Sequence, residues 1–418
     1  MVPLVKKTSA KKNATEVSID DTIGLHAAVL SDQLRTISEA LFPPSASKTL
    51  RKFSSGEAAR LIGVTDSRLR QLSLAGEGPQ PEITANGQRR YALSEINALR
   101  ELLSRSARSR KDALEYLPHR APEDHLQVIA VTNFKGGSGK TTTAAHLAQY
   151  LALRGYRVLG IDLDPQASFT ALFGLAPEFE VGANETLYGA IRYDEKRRSL
   201  SEIIRKTYFD GLSLVPGNLE LMEFEHETPR ALTAGLRSPE QVFFARVAQA
   251  IDPVADQFDV VIIDCPPQLG YLTLAGICAA TGVLVTVHPQ MLDVASMSQF
   301  LLMTRDLLSV VREAGARLNY DFLRYLVTRY EPQDAPQTKV VALLRNLFGD
   351  HVLTNPMVKS TAMSDAGLTK QTLYEIGRES LTRSTYDRAA DALESVHLEI
   401  ENLIRTAWGR EERVRSLA

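Results

Sequence analysis

The chain contains only two cysteines, Cys265 and Cys278, in 418 residues. Two are too few for a disulfide framework or a self-contained zinc site, and both lie in apolar segments, so we interpret them as structural thiols. No run approaches the roughly 18 apolar residues of a membrane span, and no apolar stretch follows the N-terminal lysines as in a signal peptide. With 44% hydrophobic and 23% charged residues, the composition predicts a soluble cytoplasmic protein of two or three domains, without a membrane partner.

Charge is distributed unevenly along the chain, although the net charge is only −2. Residues 1–120 hold 19 Lys and Arg against 13 Asp and Glu, so they carry +6, and the remaining residues carry −8. A basic N-terminal third favours nucleic acid over a small acidic substrate as its partner.

The N-terminal residues divide into a tail and a helix. Residues 1–18, rich in Lys, Ser and Thr, are predicted to be a disordered basic tail. A helix is predicted over 19–44, where apolar residues recur at steps of four and three, as in a coiled coil, until two prolines stop it. It could pack on its own domain or mediate dimerisation, and the pattern leaves both open. The seam residues are Ile23, Ala27, Leu30, Leu34, Ile37 and Leu41, followed by Pro43 and Pro44.

Residues 127–405 alternate apolar runs with helical patterns, which predicts an α/β domain with a mostly parallel sheet covered on both faces. Residues 104–126 are basic and then contain Pro118 and Pro122, as expected of a semi-rigid linker. Residues 406–418 form a polar C-terminal tail with little apolar face, which argues against a membrane-binding helix. The predicted strands are 128–132, 158–163, 212–215, 260–264, 283–287 and 322–328.

A glycine-rich loop follows the first of these strands and opens a helix rich in Ala and Leu. Closely spaced glycines let backbone N–H groups approach a phosphate, and a helix N-terminus adds partial positive charge there. Lys140 is placed for the β- and γ-phosphates and Thr141 for a Mg²⁺ ion. The predicted nucleotide-binding residues are Lys135, Gly136, Gly137, Ser138, Gly139, Lys140, Thr141 and Thr142.

Carboxylates end two further strands. Asp162 and Asp164 flank Leu163 at the end of the second predicted strand, and Asp264 closes the apolar run 260–263. In a parallel sheet these ends meet at one edge, beside the glycine-rich loop. These motifs do not by themselves distinguish ATP from GTP on physical grounds.

Residues 50–103 have the pattern of a DNA-binding reader. A short helix, a glycine turn and a second helix over 66–74, capped by Thr65, are followed by an Asn-Gly hairpin. Leu69 and Leu72 can face a core. The stretch resembles a MerR-like winged helix-turn-helix; a small helical subdomain for self-association is the alternative. The predicted DNA contacts are Ser67, Arg68, Arg70 and Gln71 on the second helix, and Arg89 and Arg90 on the wing.

Lys135, a second lysine at the head of the loop, resembles the signature lysine of deviant Walker A ATPases. The order of helix, winged helix, linker and ATPase domain resembles the long form of the ParA partition ATPases. Residues 356–366 and the Thr-Arg-Tyr-Glu-Pro segment at 328–332 are similar to the RepA subfamily of repABC plasmids.

The resemblance implies roles for the loop and the carboxylates. Lys135 reaches the partner's phosphates in a nucleotide-sandwich homodimer and acts with Asp164, which positions the attacking water. Asp162 lies near the metal shell and Asp264 holds a Mg²⁺-bound water. Thr328, Arg329 and Pro332 contact adenine in ATP.

The resemblance also implies a function. An ATP-bound dimer binds nucleoid DNA non-specifically, a ParB/RepB-like centromere-binding partner stimulates its weak ATPase, and a low-copy plasmid is segregated. The winged helix binds operator DNA and represses the operon. The alternative is a nucleotide-sensing transcriptional repressor with little hydrolysis. Late basic residues offered as non-specific DNA contacts are Lys339, Arg345, Arg378 and Arg383.

Overall fold

The computed structural model describes residues 18–41, 48–234, 242–378 and 382–413. The chain divides into two compact units, Met1–Ser47 and Lys48–Ala418. The predicted basic tail up to residue 17, the Pro43-Pro44 stop and residues 414–418 lie outside the described residues.

Helix α1 (Ile19–Leu41) is the described element of the first unit. Its apolar side chains Ile19, Ile23, Leu25, Val29 and Leu30 are exposed. Dimerisation through this helix stays a prediction.

The N-terminal part of the second unit, which covers the predicted reader and the start of the predicted linker, contains four helices and a small sheet. The sheet has strand order β1-β3-β2 with antiparallel pairing. Its elements are β1 (Phe53–Ser54), α2 (Ser55–Ile62), α3 (Asp66–Ala75), β2 (Glu82–Ile83), β3 (Arg89–Tyr91), α4 (Leu93–Arg105) and α5 (Arg110–Tyr116).

The predicted ATPase domain is built around a seven-stranded sheet of order β10-β9-β4-β8-β5-β7-β6, parallel except for the edge pair β6–β7. Its strands are β4 (Gln127–Thr132), β5 (Val158–Asp162), β6 (Arg205–Lys206), β7 (Leu212–Val215), β8 (Val260–Asp264), β9 (Gly282–Val287) and β10 (Phe322–Val327). Its helices are α6 (Lys140–Leu153), α7 (Ser168–Leu172), α8 (Pro177–Glu180), α9 (Leu187–Ile191), α10 (Met222–Thr233), α11 (Arg246–Ile251), α12 (Tyr271–Ala279), α13 (Met291–Glu313), α14 (Ala335–Phe348), α15 (Thr361–Leu368) and α16 (Arg383–Ala407).

The predicted fold class is confirmed. All six predicted strands are present with ends shifted by no more than a residue, and the short antiparallel strand β6 was missed because two residues carry no periodic signal. Strands β4, β5, β8 and β9 are buried along their whole length, which explains their nearly continuous apolar sequences. Their carboxyl ends lie together, with Asp162 in register with Asp264.

The segment predicted to be a semi-rigid linker, residues 104–126, contains a helix and contacts the domain that follows it. Residues 110–116 form α5, and the Arg120 guanidinium donates to the Ala255 carbonyl at 2.9 Å. The tail beyond residue 405 also packs here: Trp408 Nε1 donates to the His125 carbonyl at 2.9 Å and Arg410 to the Pro118 carbonyl at 3.1 Å. The segments predicted as a semi-rigid linker and a polar tail are thus held by hydrogen bonds to partly buried main-chain carbonyls.

Helix α13 is the one helix in the described part of the chain that is long and apolar enough to cross a membrane by length and composition. Phe300 on this helix packs against Phe134 with ring centroids 5.4 Å apart, and Asp293 pairs with Lys135. These contacts make α13 part of the nucleotide domain.

The reader and the ATPase domain share one hydrophobic core. Buried reader residues such as Ile62, Leu99 and Leu103 belong to the same cluster as Leu147 and Leu151 of α6. The reader is therefore packed directly on the helix that follows the glycine-rich loop.

Candidate nucleotide site and DNA reader

The loop between β4 and α6 has the backbone conformation of a phosphate cradle. Gly137 and Gly139 adopt φ values of 75° and 86°, in the left-handed region that other L-residues avoid. Helix α6 begins directly afterwards at Lys140. The fully buried β4 and α6 hold this loop at the carboxyl edge of the sheet, where the helix N-terminus offers partial positive charge to an anion.

Side chains from neighbouring strands hold the loop from behind. Asn133 donates to the Thr286 carbonyl on β9 and accepts the Lys135 N–H at 2.9 Å. The Ser138 hydroxyl lies 2.9 Å from the Thr286 hydroxyl. Sequence reasoning missed Asn133 and Thr286, because nothing in their local pattern distinguishes them from other polar residues at strand ends.

The predicted adenine segment is brought against this loop. Thr328 Oγ1 donates to the Ser138 carbonyl at 2.7 Å, and Arg329 Nη1 to the Gly137 carbonyl at 3.1 Å. Pro332 lies ahead of α14, where its carbonyl is 3.5 Å from the Thr338 hydroxyl. Thr328 and Arg329 thus support the loop backbone, and adenine contact stays a prediction.

Lys140 and Asp264 are buried ionisable side chains of the site. Lys140 is only 6% exposed and its ammonium donates to the Lys135 carbonyl at 3.1 Å. Burial lowers the pKa of Lys140, while Asp264 and Asp164 oppose that shift. Burial, together with Asp162, raises the pKa of Asp264 well above its usual value, and the Thr141 hydroxyl acts in the opposite direction.

Both carboxylate oxygens of Asp264 are buried without a hydrogen-bond partner of standard geometry among the described residues. A buried carboxylate in that condition is costly unless an ion or a water completes it. The chemistry of Thr141 and Asp264, two oxygen donors beside a phosphate cradle, fits a Mg²⁺ ion with its bound waters.

Asp162 lies beside Asp264 and accepts hydrogen bonds on both of its oxygens. Its Oδ1 accepts the Asp164 N–H at 3.1 Å, and its Oδ2 accepts the Thr170 N–H and hydroxyl at 2.8 and 2.7 Å. Burial raises the pKa of Asp162 to about 7, and the Thr170 bonds act against this rise. These bonds tie Asp162 to Asp164 and to Thr170 of α7, and a place near the metal shell stays a prediction.

Asp164 follows Asp162 and stands at the rim of the same site. It is 9% exposed, and its Oδ1 accepts the Gln166 N–H at 2.9 Å. This hydrogen bond and the one from the Asp164 N–H to Asp162 fix the carboxylate beside the cradle. The position is compatible with the predicted contact to water.

Lys135 points to its own subunit. Its ammonium forms an ion pair with Asp293, in the first turn of α13, and the other Asp293 oxygen lies 3.1 Å from His288 Nδ1. The Lys135 side chain is nevertheless 47% exposed. Burial lowers the pKa of His288, and the nearby Arg329 and Lys135 add to this effect. Asp293 was not identified from the sequence, because 158 residues separate it from Lys135.

The reader presents the predicted surface. Thr65 caps α3 by accepting the Arg68 N–H at 3.2 Å, and Leu69 and Leu72 are buried. The predicted groove-facing side chains Ser67, Arg68, Arg70 and Gln71 are all exposed. On the wing, Arg89 and Arg90 are half-buried in β3, in register with Ile83 and Glu82.

The late basic residues predicted to contact non-specific DNA differ in whether another residue of the chain binds their side chains. Arg345 donates to the Thr354 carbonyl at 2.7 Å, and Arg378 pairs with Asp387. Lys339 and Arg383 are exposed. Arg378 would have to give up its ion pair with Asp387 to offer its full charge to DNA.

Together, the phosphate cradle, the buried lysine, the carboxylates and the packed helix-turn-helix define a P-loop nucleotide-binding protein with an attached DNA-binding module. Residues 126–314 match the AAA domain family and residues 54–91 the MerR family of regulatory proteins. The chain is similar to the putative replication protein A of Rhizobium rhizogenes, with 53% identity over 97% of this chain and 99% of that protein. It is also similar to protein SopA of Escherichia coli K12, with 30% identity over 87% and 92% of the two chains.

The chain belongs to the family of these proteins, the ParA/SopA-type partition ATPases with an N-terminal helix-turn-helix region, and among them it is a homologue of replication protein A (RepA). Solved structures agree on the fold. A structure described as a partition protein has a TM-score of 0.63 at 19% identity, covering 92% of this chain and 99% of its own. The ATP complex of a single-residue variant of the Cyanothece McdA protein has a TM-score of 0.53 at 20% identity, covering 70% and 100%.

Proposed function

We propose that this protein is a DNA-partitioning ATPase that dimerises on ATP and segregates a low-copy plasmid. The observation that carries the proposal is the pair of lysines on one loop. Lys140 is buried in the cradle, and the side chain of Lys135, at its head, is half-exposed and forms an ion pair with Asp293. A loop that only binds nucleotide needs Lys140, whereas it does not require Lys135, which would serve a neighbouring subunit.

The chain's own residues account for nucleotide binding. Backbone N–H groups of residues 136–141 and the Lys140 ammonium would bind the phosphates, and Thr141 with Asp264 would hold Mg²⁺ and its waters. When bound there, Mg²⁺ would supply neutralisation of the phosphate charge. The segment carrying Thr328 and Arg329 lies beside the loop, where it would contact adenine.

Hydrolysis needs a positioned water and stabilisation of charge on the transferring phosphoryl group. Asp164 would orient the water, because its carboxylate is fixed at the rim of the cradle. Lys135 would leave Asp293 and reach the phosphates of the second subunit, as a trans-acting arginine does in other nucleotide hydrolases. Turnover would then depend on dimer formation, and basal activity would be weak.

The protein would bind DNA through two different surfaces. The exposed side chains of α3 would enter the groove of operator DNA, and Arg89 and Arg90 would contact its phosphates. The groove-facing residues are Ser67, Arg68, Arg70 and Gln71. The ATP dimer would bind nucleoid DNA non-specifically in the cytoplasm, with Lys339 and Arg383 as accessible candidates. A ParB/RepB-like protein bound to the plasmid centromere would stimulate hydrolysis and release.

ATP turnover decides between this function and that of a nucleotide-sensing repressor. We would measure phosphate release from the wild type, Asp164→Ala and a matched control, Asp350→Ala at an exposed position. The assay would run alone, with non-specific DNA, and with DNA and the centromere-binding partner. We expect slow basal turnover, stimulation in the complete mixture, and retained ATP binding without turnover in Asp164→Ala.

Two outcomes would contradict the proposal. Wild-type turnover that stays at background in the complete mixture would favour the repressor. Full turnover in Asp164→Ala would remove the water-positioning role.

A further inference from the structure

One buried guanidinium links the reader to the nucleotide helix. Arg100, on α4, is 1% exposed, and it is among the largest fully buried side chains of the described residues. It donates to Asn97 Oδ1 at 2.6 Å, to the Leu61 carbonyl at 2.7 Å and to the Leu153 carbonyl. The Leu61 carbonyl belongs to the reader, and the Leu153 carbonyl belongs to the nucleotide-binding domain.

Both carbonyls lie at helix C-termini. Leu61 is in the last turn of α2, the first helix of the reader, and Leu153 is the last residue of α6, whose first residue is Lys140. Carbonyls in a last turn have no partner within their helix and carry partial negative charge. The Arg100 cation therefore joins the negative ends of a DNA-reader helix and the nucleotide-loop helix.

The surroundings of Arg100 fix its position. Gly155 has φ +95°, and a Cβ there would lie 3.0 Å from Arg100 Cδ and 3.2 Å from Nε. Asn97, which accepts from Arg100, in turn donates to Asp210 Oδ2 of the ATPase domain at 2.7 Å. A residue with a side chain at position 155 would displace the guanidinium.

The guanidinium keeps its charge in this setting. Burial lowers the pKa of Arg100 to about 9, with Arg154 and Arg413 adding to the shift. That value is above neutral pH, so the side chain stays a cation with several donors. Both carbonyls accept from Nη2 and Asn97 accepts from Nη1, so the three acceptors use both terminal nitrogens of the planar guanidinium. A lysine would keep the charge but has a single nitrogen to donate from.

We propose that Arg100 is a positioning residue that couples nucleotide binding at the loop to the reader helices. Helix α6 has 14 residues and is about 21 Å long at ~1.5 Å per residue. Since every residue from Thr143 to Leu153 is buried, a shift of Lys140 on binding nucleotide would be transmitted along the helix to Leu153 and through Arg100 to Leu61. The inference rests on the proposed nucleotide and DNA sites and adds how they communicate.

Amide hydrogen exchange of the full-length protein, with and without Mg²⁺ and ADP, tests the coupling without any DNA. In the wild type we expect slower exchange both in residues 136–145 and in α2 and α3. In Arg100→Met and Arg100→Lys the loop stays protected by nucleotide, while the change in α2 and α3 falls by at least about half. Arg105→Met removes an exposed guanidinium from the same helix and should behave as the wild type.

Gly155→Ala provides a second variant if Arg100→Met does not fold, and it should weaken the coupling in the same way. An unchanged nucleotide effect on α2 and α3 in the Arg100 and Gly155 variants would overturn the inference. So would a wild type in which nucleotide protects the loop and leaves α2 and α3 unaltered.

Operator affinity gives a second readout that separates this inference from the proposed function. With a duplex containing the upstream operator, we expect the wild-type Kd to differ at least about fivefold with and without ADP, as for ordinary allosteric coupling. In Arg100→Met this ratio should fall to within about twofold. If the wild type binds no operator but the exchange coupling is present, the reader assignment fails and the role of Arg100 stands.

Discussion

Lys135 forms an ion pair with Asp293, so the lysine that we propose to act in the partner subunit is held in its own. The Asp293 side chain is 7% exposed, and its carboxylate also lies 3.1 Å from His288 Nδ1. It is therefore a fixed partner for the Lys135 ammonium. Dimerisation on ATP would have to exchange this contact for a phosphate of the second subunit.

Releasing Lys135 should make dimerisation easier. In Asp293→Asn we expect half-maximal dimerisation at an ATP concentration about two- to fivefold lower, because a half-exposed ion pair contributes about 1 kcal/mol or less. Sedimentation velocity across an ATP titration measures this. Asp306→Asn, at an exposed position of the same helix, is the control. A higher ATP requirement would mean that Asp293 holds Lys135 in its productive orientation.

Removing the Lys135 charge should separate binding from assembly. Lys135→Gln should bind Mg²⁺-ATP within about tenfold of the wild type, because Lys140 and the loop backbone remain. It should lose the ATP-dependent dimer and at least about a hundredfold of the stimulated turnover, by analogy with trans-acting arginines. Nucleotide titration and sedimentation would be compared with Lys196→Gln, at an exposed position. A mutant dimer as stable as that of the wild type would exclude the trans role.

Operator recognition should depend on the exposed face of α3. Arg68→Ala should weaken operator binding by about 1–3 kcal/mol at fixed salt and leave non-specific binding nearly unchanged. Fluorescence anisotropy with operator and scrambled duplexes measures both. Arg60→Ala, exposed on α2, is the matched control. Equal losses on the two duplexes would make Arg68 a backbone contact only.

Stability should fall as pH drops below about 6.5, partly because of His397. This histidine is fully buried, its Nδ1 lies 2.8 Å from the Tyr374 hydroxyl, and burial lowers its pKa well below the usual value. The unfolded chain therefore takes up the proton first, and each pH unit below 6.5 costs up to about 1.4 kcal/mol until the folded pKa is reached.

Urea unfolding at pH 5 to 7.5 measures this dependence. The slope of unfolding free energy against pH should be shallower in His397→Gln, whatever its absolute stability. It should be unchanged in His226→Gln, at an exposed position. His146, also buried with its pKa lowered by burial, would retain part of the slope.

The sequence by itself determined the strands, the loop and the reader face. Continuous apolar runs identify β4, β5 and β8, and the glycine spacing identifies the phosphate cradle, because each of these signals is local. Leu69 and Leu72 lie three residues apart among exposed polar residues, and this helical spacing likewise indicates which side of α3 faces outward.

Only the tertiary structure decided which partners these residues meet. It uses both oxygens of Asp162 on Thr170 and Asp164, brings Asp293 to Lys135, and packs the predicted linker and tail against the domain. It also places Arg100 between two helix ends that are far apart in sequence. A hydrogen bond or an ion pair depends on separations of a few ångströms between residues distant along the chain, and no periodicity or motif records that separation.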